Sequence, residues 1–166
     1  NESIQDLIPK IKKRYITYGM SSQADFQIRD VVSEKRRSRF SVYRQGQKLG
    51  RIILNLPGIH NVYNATASIA VGLELDVPMD AIESALQTLE GVQRRLEIKG
   101  EINGITVVDD YGHHPTEIKT TLQAIEECWP DNRKVIVFQP QRYTRTQALF
   151  DDFTRSFYQS DVLLVL

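Results

Sequence analysis

The sequence predicts an α/β protein: a small antiparallel β region with two helices, followed by a partial Rossmann-like parallel β-α-β-α-β unit. Three observations predict it. Residues 26–54 contain three short runs rich in β-branched and aromatic residues, separated by charged or Gly-containing stretches. Residues 61–89 carry apolar residues at helical spacing. From residue 105 onward, apolar runs alternate with helical patterns long enough for right-handed parallel crossovers.

Ile4, Leu7, Ile8 and Ile11 recur at helical spacing and predict a short helix over 2–13, although Pro9 would kink or shorten it. Tyr15 to Tyr18 reads as a strand ended by Gly19. Phe26–Val32, Phe40–Tyr43 and Leu49–Leu54 read as three strands, the last two turned by Gly46 and Gln47. Pro57-Gly58 breaks the pattern. A helix over Asn61–Leu75 then has an apolar face of Val62, Ala65, Ile69 and Leu73 and a polar stripe of Asn61, Asn64 and Ser68. Asp80 and Glu83 are spaced as the capping box of a second helix, with Ile82, Ala85, Leu86 and Leu89 on its core side and Gly91 as its stop.

The pattern changes between Gly91 and Arg95, which predicts a lobe boundary there. Leu96–Ile102 and Ile105–Val108 flank Asn103-Gly104, a strong hairpin signal. Helix Pro115–Glu127, strand Lys134–Phe138, helix Thr146–Tyr158 and strand Asp161–Leu166 follow. A sheet of three parallel strands has an open edge and incomplete cover, so the sequence reads as a piece of something larger.

Hydrophobic residues make up 41% and charged residues 25%, a balance that argues against disorder. No apolar run approaches membrane-spanning length and no signal peptide opens the sequence, so no membrane partner is expected. The lone Cys128 excludes an internal disulfide and reads as a buried bystander in a reducing compartment. Residues 1–51 carry 12 Lys/Arg against 5 Asp/Glu, a balance of +7, and the remainder carries −7. The run Lys35–Arg39 lacks the interleaved aromatics of a nucleic-acid surface, so a solvated turn, or charge facing the acidic half, is the better reading.

Chemistry concentrates in two loops. Asp109-Asp110-Tyr111-Gly112-His113-His114-Pro115 follows one apolar run, and Gln141-Arg142-Tyr143-Thr144-Arg145-Thr146 follows another. If the runs are neighbouring parallel strands, both loops open on one sheet edge, where α/β folds bind ligands. Asp109 and Asp110 point to opposite sides of an extended chain, so only one is expected to face the crevice; a helix or turn cap is the competing reading. Pro115 suits a first helical turn, which puts the two histidines at a helix N-terminus where anions are favoured. One histidine is expected to pack or cap, and metal chelation by the adjacent pair is not expected; His60 is far away in sequence. Arg142 and Arg145 suit carboxylate or phosphate, or are ordinary surface arginines. Asn61 and Asn64 offer the donor and acceptor that an adenine edge needs, or cap their helix, and Arg94-Arg95 stand between the lobes, where one guanidinium could reach a phosphate. No Gly-rich phosphate loop, nucleophile elbow or zinc motif is present.

Leu56-Pro57-Gly58-Ile59-His60-Asn61-Val62-Tyr63-Asn64-Ala65 resembles the segment that closes the central ATPase domain of Mur ligases. Val108–Glu117 and Phe138–Thr146 resemble the family more closely still, in particular its alanine-adding branch. The resemblance covers nearly the whole chain and is weakest over residues 1–50. It implies an ATP-dependent amide-bond ligase of peptidoglycan synthesis, located in the cytoplasm. Residues 1–91 would be the C-terminal part of the central ATP-binding domain, and 92–166 the N-terminal part of the Rossmann-like, amino-acid-binding domain.

The resemblance also implies ATP and Mg2+ as cofactors, with the metal ligands mostly outside these residues, and the small molecules UDP-N-acetylmuramate and L-alanine as substrates. Neither nucleic acid nor membrane is an expected partner. ATP would phosphorylate the muramoyl carboxylate, and the amine of L-alanine would attack the acyl-phosphate. By the same resemblance Asn61 and Asn64 hold adenine, Arg95 neutralises phosphate and Asp110 meets the ribose region. Tyr111, His113, Arg142 and Arg145 shape the amino-acid pocket, and Arg95, Asp110 and His113 are the expected catalytic group. Gln141 departs from the family pattern, which has His there, so its part in the pocket is open. Residues 1–166 alone are expected to be inactive. Two other readings compete: a murein peptide ligase that joins a tripeptide to the same sugar nucleotide, and a non-catalytic nucleotide- or anion-binding module.

Overall fold

The computed structural model describes residues 6–166. β1 (Tyr18–Gly19), β2 (Phe26–Glu34), β3 (Arg37–Arg44) and β4 (Gln47–Leu54) form one sheet in that order. β1 pairs parallel with β2, and the other two pairs are antiparallel. α1 (Ile59–Glu74) and α2 (Met79–Thr88) cover the sheet. β5 (Glu97–Ile102) and β6 (Ile105–Asp109) form a hairpin, followed by α3 (Pro115–Cys128) and β7 (Val135–Phe138). Two short helices, α4 (Tyr143–Ala148) and α5 (Phe150–Thr154), lead to β8 (Val162–Val165).

The first core follows from strand alternation. Phe26 and Ile28, Phe40 and Val42, and Ile52 and Leu54 sit two residues apart, so each pair shares one sheet face. They meet Val62, Ala65, Ile69 and Ala70 of α1 and Ile82 and Leu86 of α2. Ala85 and Leu89, expected in the core, are exposed because α2 presents only a narrow stripe to the sheet. A second, smaller core joins Ile118 and Leu122 of α3 to Phe153, with Ile136, Phe138 and Phe157 packed around them. Phe150, expected on that face, is exposed.

Several local expectations are corrected. In the helix expected over 2–13, Ile4 lies outside the described residues, and Ile8–Lys10 is a single 3-10 turn. Pro9 explains the brevity, since it donates no N–H to a longer helix. The strand expected over Tyr15–Tyr18 is the two-residue β1, and Gly19 lies within it. The β3–β4 turn is Gln45-Gly46, both at positive φ, with Arg44 paired to Gln47. Asp80 and Glu83 form no capping box: Pro78 precedes α2, and Asp80 Oδ1 accepts from the adjacent Ala81 N–H. Gly91 does not stop α2, which ends at Thr88. The helix expected over Thr146–Tyr158 starts at Tyr143 and breaks at Leu149 into α4 and α5.

The largest correction concerns the second sheet. Among the described residues β7 pairs in parallel with β8, but β6 pairs only with β5. The strands on either side of α3 are therefore not neighbours. Adjacency of consecutive strands is a tendency, and a 14-residue helix has the reach to span a gap. The gap is a cleft of about 510 Å³, walled by Val108–His113 and Val135–Gln141 and floored by Ile118, Thr121, Leu122 and Ile125.

The basic turn meets both of its expectations. Lys35-Arg36 is the β2–β3 turn, and Arg36 pairs with Glu101 while lying 5.3 Å from the Trp129 ring centre. Cys128 is half-buried, not buried, and its Sγ donates to the Lys35 carbonyl at 3.1 Å. Burial pushes its thiol pKa up, which keeps it protonated and unreactive.

Gly58 precedes α1 at φ 90°, ψ 139°, a conformation nearly restricted to glycine. A Cβ there would stand 2.7 Å from the His60 ring and 3.0 Å from Ala124 Cβ. Gly58→Ala is expected to lower unfolding stability by about 1–3 kcal/mol in urea titration. Wild-type stability in that variant would contradict the strained geometry.

Candidate active site

The β6–α3 turn is built around one carboxylate. Asp110 Oδ1 accepts from Gly112 N–H at 2.7 Å and from Thr121 Oγ1 at 3.2 Å, while Oδ2 accepts from Leu96 N–H at 2.9 Å. The linker, the turn and α3 are thereby tied together. Of the two adjacent aspartates, Asp110 takes the turn, and Asp109 pairs with Arg94 at 3.4 Å. Three of the four or so acceptor positions on Asp110 are in use, which leaves one for any ribose hydroxyl.

The α3 N-terminus caps itself. His114 Nδ1 accepts from Thr116 N–H at 3.2 Å, and Glu117 Oε2 accepts from the N–H groups of His113 and His114 at 3.1 Å each. The capping histidine of the pair is therefore His114. The anion site expected at this helix end is already filled by Glu117. Burial pushes the Glu117 pKa up, but the His113 N–H, the His113 ring when it is protonated, the His114 N–H and Arg95 outweigh it, and the net shift is down.

His113 points its chemistry elsewhere. Its Nδ1 lies 2.9 Å from the Tyr111 carbonyl, which can only accept, so Nδ1 carries the proton and Nε2 of the neutral ring remains an acceptor. The Tyr111 ring packs edge-on to His113 with centres 4.9 Å apart. Arg94 and Arg95 stand 4.9 and 5.9 Å from the same tyrosine ring centre.

The second loop meets the first. Arg145, on α4, donates from Nη1 to the His113 carbonyl at 3.3 Å. Asp110, Tyr111, His113 and Gln141 all line the one cleft. Neither arginine of the second loop lines it: Arg145 reaches the first loop through the His113 carbonyl, and Arg142 is exposed, at φ 64°, as the residue before α4.

Asn61 and Asn64 share a face of α1 but do not line the cleft. Asn61 Nδ2 donates to the Pro57 carbonyl at 2.7 Å, which leaves its Oδ1 as an acceptor, and Asn64 is exposed. His60 connects the two regions, which its remoteness in sequence hid. Its Nδ1 is buried without a hydrogen-bond partner among the described residues. Burial pushes its pKa down, with Asp110 and Glu127 opposing and Arg95 reinforcing that shift. The signals that could have found it are Gly58, which admits the folded-back ring, and the shared motif with Asn61. Glu117 was likewise missed as a site residue, although it lies in the first motif.

The chain matches the model of the Mur ligase middle domain over residues 1–72 and that of the Mur ligase, glutamate ligase domain over residues 94–166. It is 61% identical over all of its 166 residues to a UDP-N-acetylmuramate–L-alanine ligase of Desulfatibacillum aliphaticivorans, of which it covers 36%. A crystal structure of UDP-N-acetylmuramate–alanine ligase from Thermotoga maritima superposes with TM-score 0.79 at 28% identity, covering 90% of this chain and 33% of that one. A murein peptide ligase from Psychrobacter arcticus 273-4 superposes with TM-score 0.71, also at 28% identity, covering 99% and 35%. The chain thus spans about a third of the length of the curated relatives it matches.

Because the folded-state pKa of His60 lies below its ordinary 6.5, proton uptake below that pH favours the unfolded chain. Its contribution to stability is whole above pH 6.5 and is lost as pH falls. His60→Gln is expected to flatten the acid loss of thermal midpoint between about pH 6.5 and 5. Equal acid slopes in the two proteins would refute this assignment.

Proposed function

The chain belongs to the Mur ligase family, and from that premise we propose that it is part of an ATP-dependent ligase that joins L-alanine to the carboxylate of UDP-N-acetylmuramate. The observation that carries the proposal is the meeting of the two motif loops, where Arg145 reaches the His113 carbonyl beside Asp110, Tyr111 and Gln141. We assign residues 1–91 to the end of the central ATP-binding domain, residues 92–166 to the start of the amino-acid-binding domain, and the reaction to the cytoplasm. The murein peptide ligase reading is weaker: the two solved ligases are equally similar in sequence at 28%, but the 61% relative carries the alanine-adding name.

ATP, when bound, supplies the phosphoryl group that turns the acceptor carboxylate into an acyl-phosphate. The residues present fit a nucleotide. Asn61 keeps an acceptor, Asn64 is exposed, and together they suit the donor–acceptor edge of adenine. Arg95 is exposed at the lobe linker, with most of its five donors available for phosphate. Asp110 acts mainly by holding the turn, with one acceptor position for ribose. We assign Mg2+ ligation mostly to residues of the intact protein outside 1–166.

The amino acid is held at the other end of the turn. Arg145 grips its carboxylate while keeping the His113 carbonyl, and Nε2 of neutral His113 accepts a proton from the amine. Tyr111 and Gln141 form the walls, and Arg142 contributes charge at the rim. Catalysis is then mainly positioning and charge stabilisation, because charge develops on phosphoryl oxygens and on the tetrahedral carbon.

In the intact protein, ADP should form only when ATP, UDP-N-acetylmuramate and L-alanine are all present, as read by a coupled assay. ADP release with a tripeptide and none with L-alanine would overturn the assignment. Arg145→Ala should lower kcat/KM for L-alanine by about 10- to 150-fold, the worth of a charged hydrogen-bonded grip, and leave KM for ATP unchanged. An unchanged kcat/KM for L-alanine would remove Arg145 from the pocket.

A further inference from the structure

The two oxygens of Glu117 do different things. Oε2 closes the turn by accepting from the N–H groups of His113 and His114. Oε1 faces Arg95 Nη1 at 3.4 Å. Arg95 comes from the linker between the two cores, and its guanidinium also stands 5.9 Å from the Tyr111 ring centre. One carboxylate therefore touches both the turn that carries Tyr111 and His113 and the cation that belongs to the linker.

The motif containing Glu117 predicted a helix start but gave this side chain no part in the site. Its position as third residue of α3 requires only an acceptor for backbone N–H groups. A glutamine oxygen would accept from the same two N–H groups, though less strongly than a carboxylate. The negative charge has a second use, on Arg95. An exposed arginine has about 2 kcal/mol of rotamer entropy to lose on binding a ligand. A carboxylate partner removes part of that freedom beforehand. It engages a single N–H donor, so the guanidinium keeps four of its five for an anion.

We propose that Glu117 is a positioning residue for the ligase reaction, holding the Arg95 guanidinium beside the β6–α3 turn so that a nucleotide phosphate meets it already oriented. This rests on the ligase reading of the same site. It assigns the charge of Glu117 to nucleotide binding and its hydrogen-bonding oxygen to the fold. The two roles separate chemically, because Glu117→Gln keeps the second and removes the first.

The test uses the intact protein that contains these residues. Affinity for the non-hydrolysable analogue AMP-PNP is measured by calorimetry for wild type, E117Q, R95A and the double variant, with thermal midpoints alongside. E117Q should lose less midpoint than E117A and weaken AMP-PNP binding by roughly two- to fivefold, the range of a partly exposed ion pair. In the R95A background the same substitution should change affinity no further. E117A should lose both affinity and midpoint, because it also removes the cap. Unchanged affinity in E117Q, or an equal loss with and without Arg95, overturns the positioning role. A midpoint that falls in E117Q as far as in E117A overturns the separation of charge from cap. A protein that binds AMP-PNP but forms no ADP with L-alanine overturns the proposed substrate alone, and one that binds no nucleotide overturns both readings.

Discussion

The Asp110 carboxylate is the constraint on which the candidate site depends. It receives N–H groups from the linker at Leu96 and from the turn at Gly112, and a hydroxyl from α3 at Thr121. Each charged hydrogen bond of this kind contributes about 1.5–3 kcal/mol, and an unmet backbone N–H costs about 1–3 kcal/mol. With Asp110 in place, Tyr111 stacks near the linker arginines, His113 is held by its own turn, and Glu117 finds two backbone donors to cap.

The second constraint is the pair of loops over the cleft. β6 and β7 are not hydrogen-bonded, so no ladder fixes the distance between the two loops. The second core supports them from below through α3, and Arg145 joins them from above. Arg142, at positive φ, immediately precedes α4, the helix that carries Arg145. Positive-φ residues also crowd the linker: Gly91, Arg94 and Leu96 lie within six positions. Strain stored at such places is tolerated where neighbouring contacts over-determine the backbone, and here Asp110 supplies one of those contacts.

Much of the fold was legible in residue order. The three long strands of the first sheet, α1, the Asn103-Gly104 hairpin, α3 and the β7–β8 parallel pair all carry strong periodicity or turn chemistry. The failures were local competitions. Pro9 overrode an apolar helical spacing near the start, and Pro78 took the place of the Asp80 cap. The working capping box sits at His114 and Glu117, where a histidine replaces the usual Ser or Thr acceptor and so hid the signal. In the site, the motif residues Asp110, Tyr111, His113 and Gln141 line one cleft and Arg145 bonds the His113 carbonyl, while Arg142 is exposed and the two asparagines lie outside the cleft lining.

By itself the sequence determined which residues are available to the chemistry and which local backbone each prefers, because propensity, turn type and motif spacing act over a few residues. It placed both motif loops after apolar strands. Tertiary structure alone decided who touches whom across the chain. It brought His60 under the electrostatic influence of Asp110 and Arg95, over about 35–50 positions of sequence. It opened a cleft where adjacent strands were expected, and it divided Glu117 between a cap and a cation. The reason is physical: hydrogen bonds and burial between distant segments depend on how the two cores pack, and no periodicity within one segment encodes that.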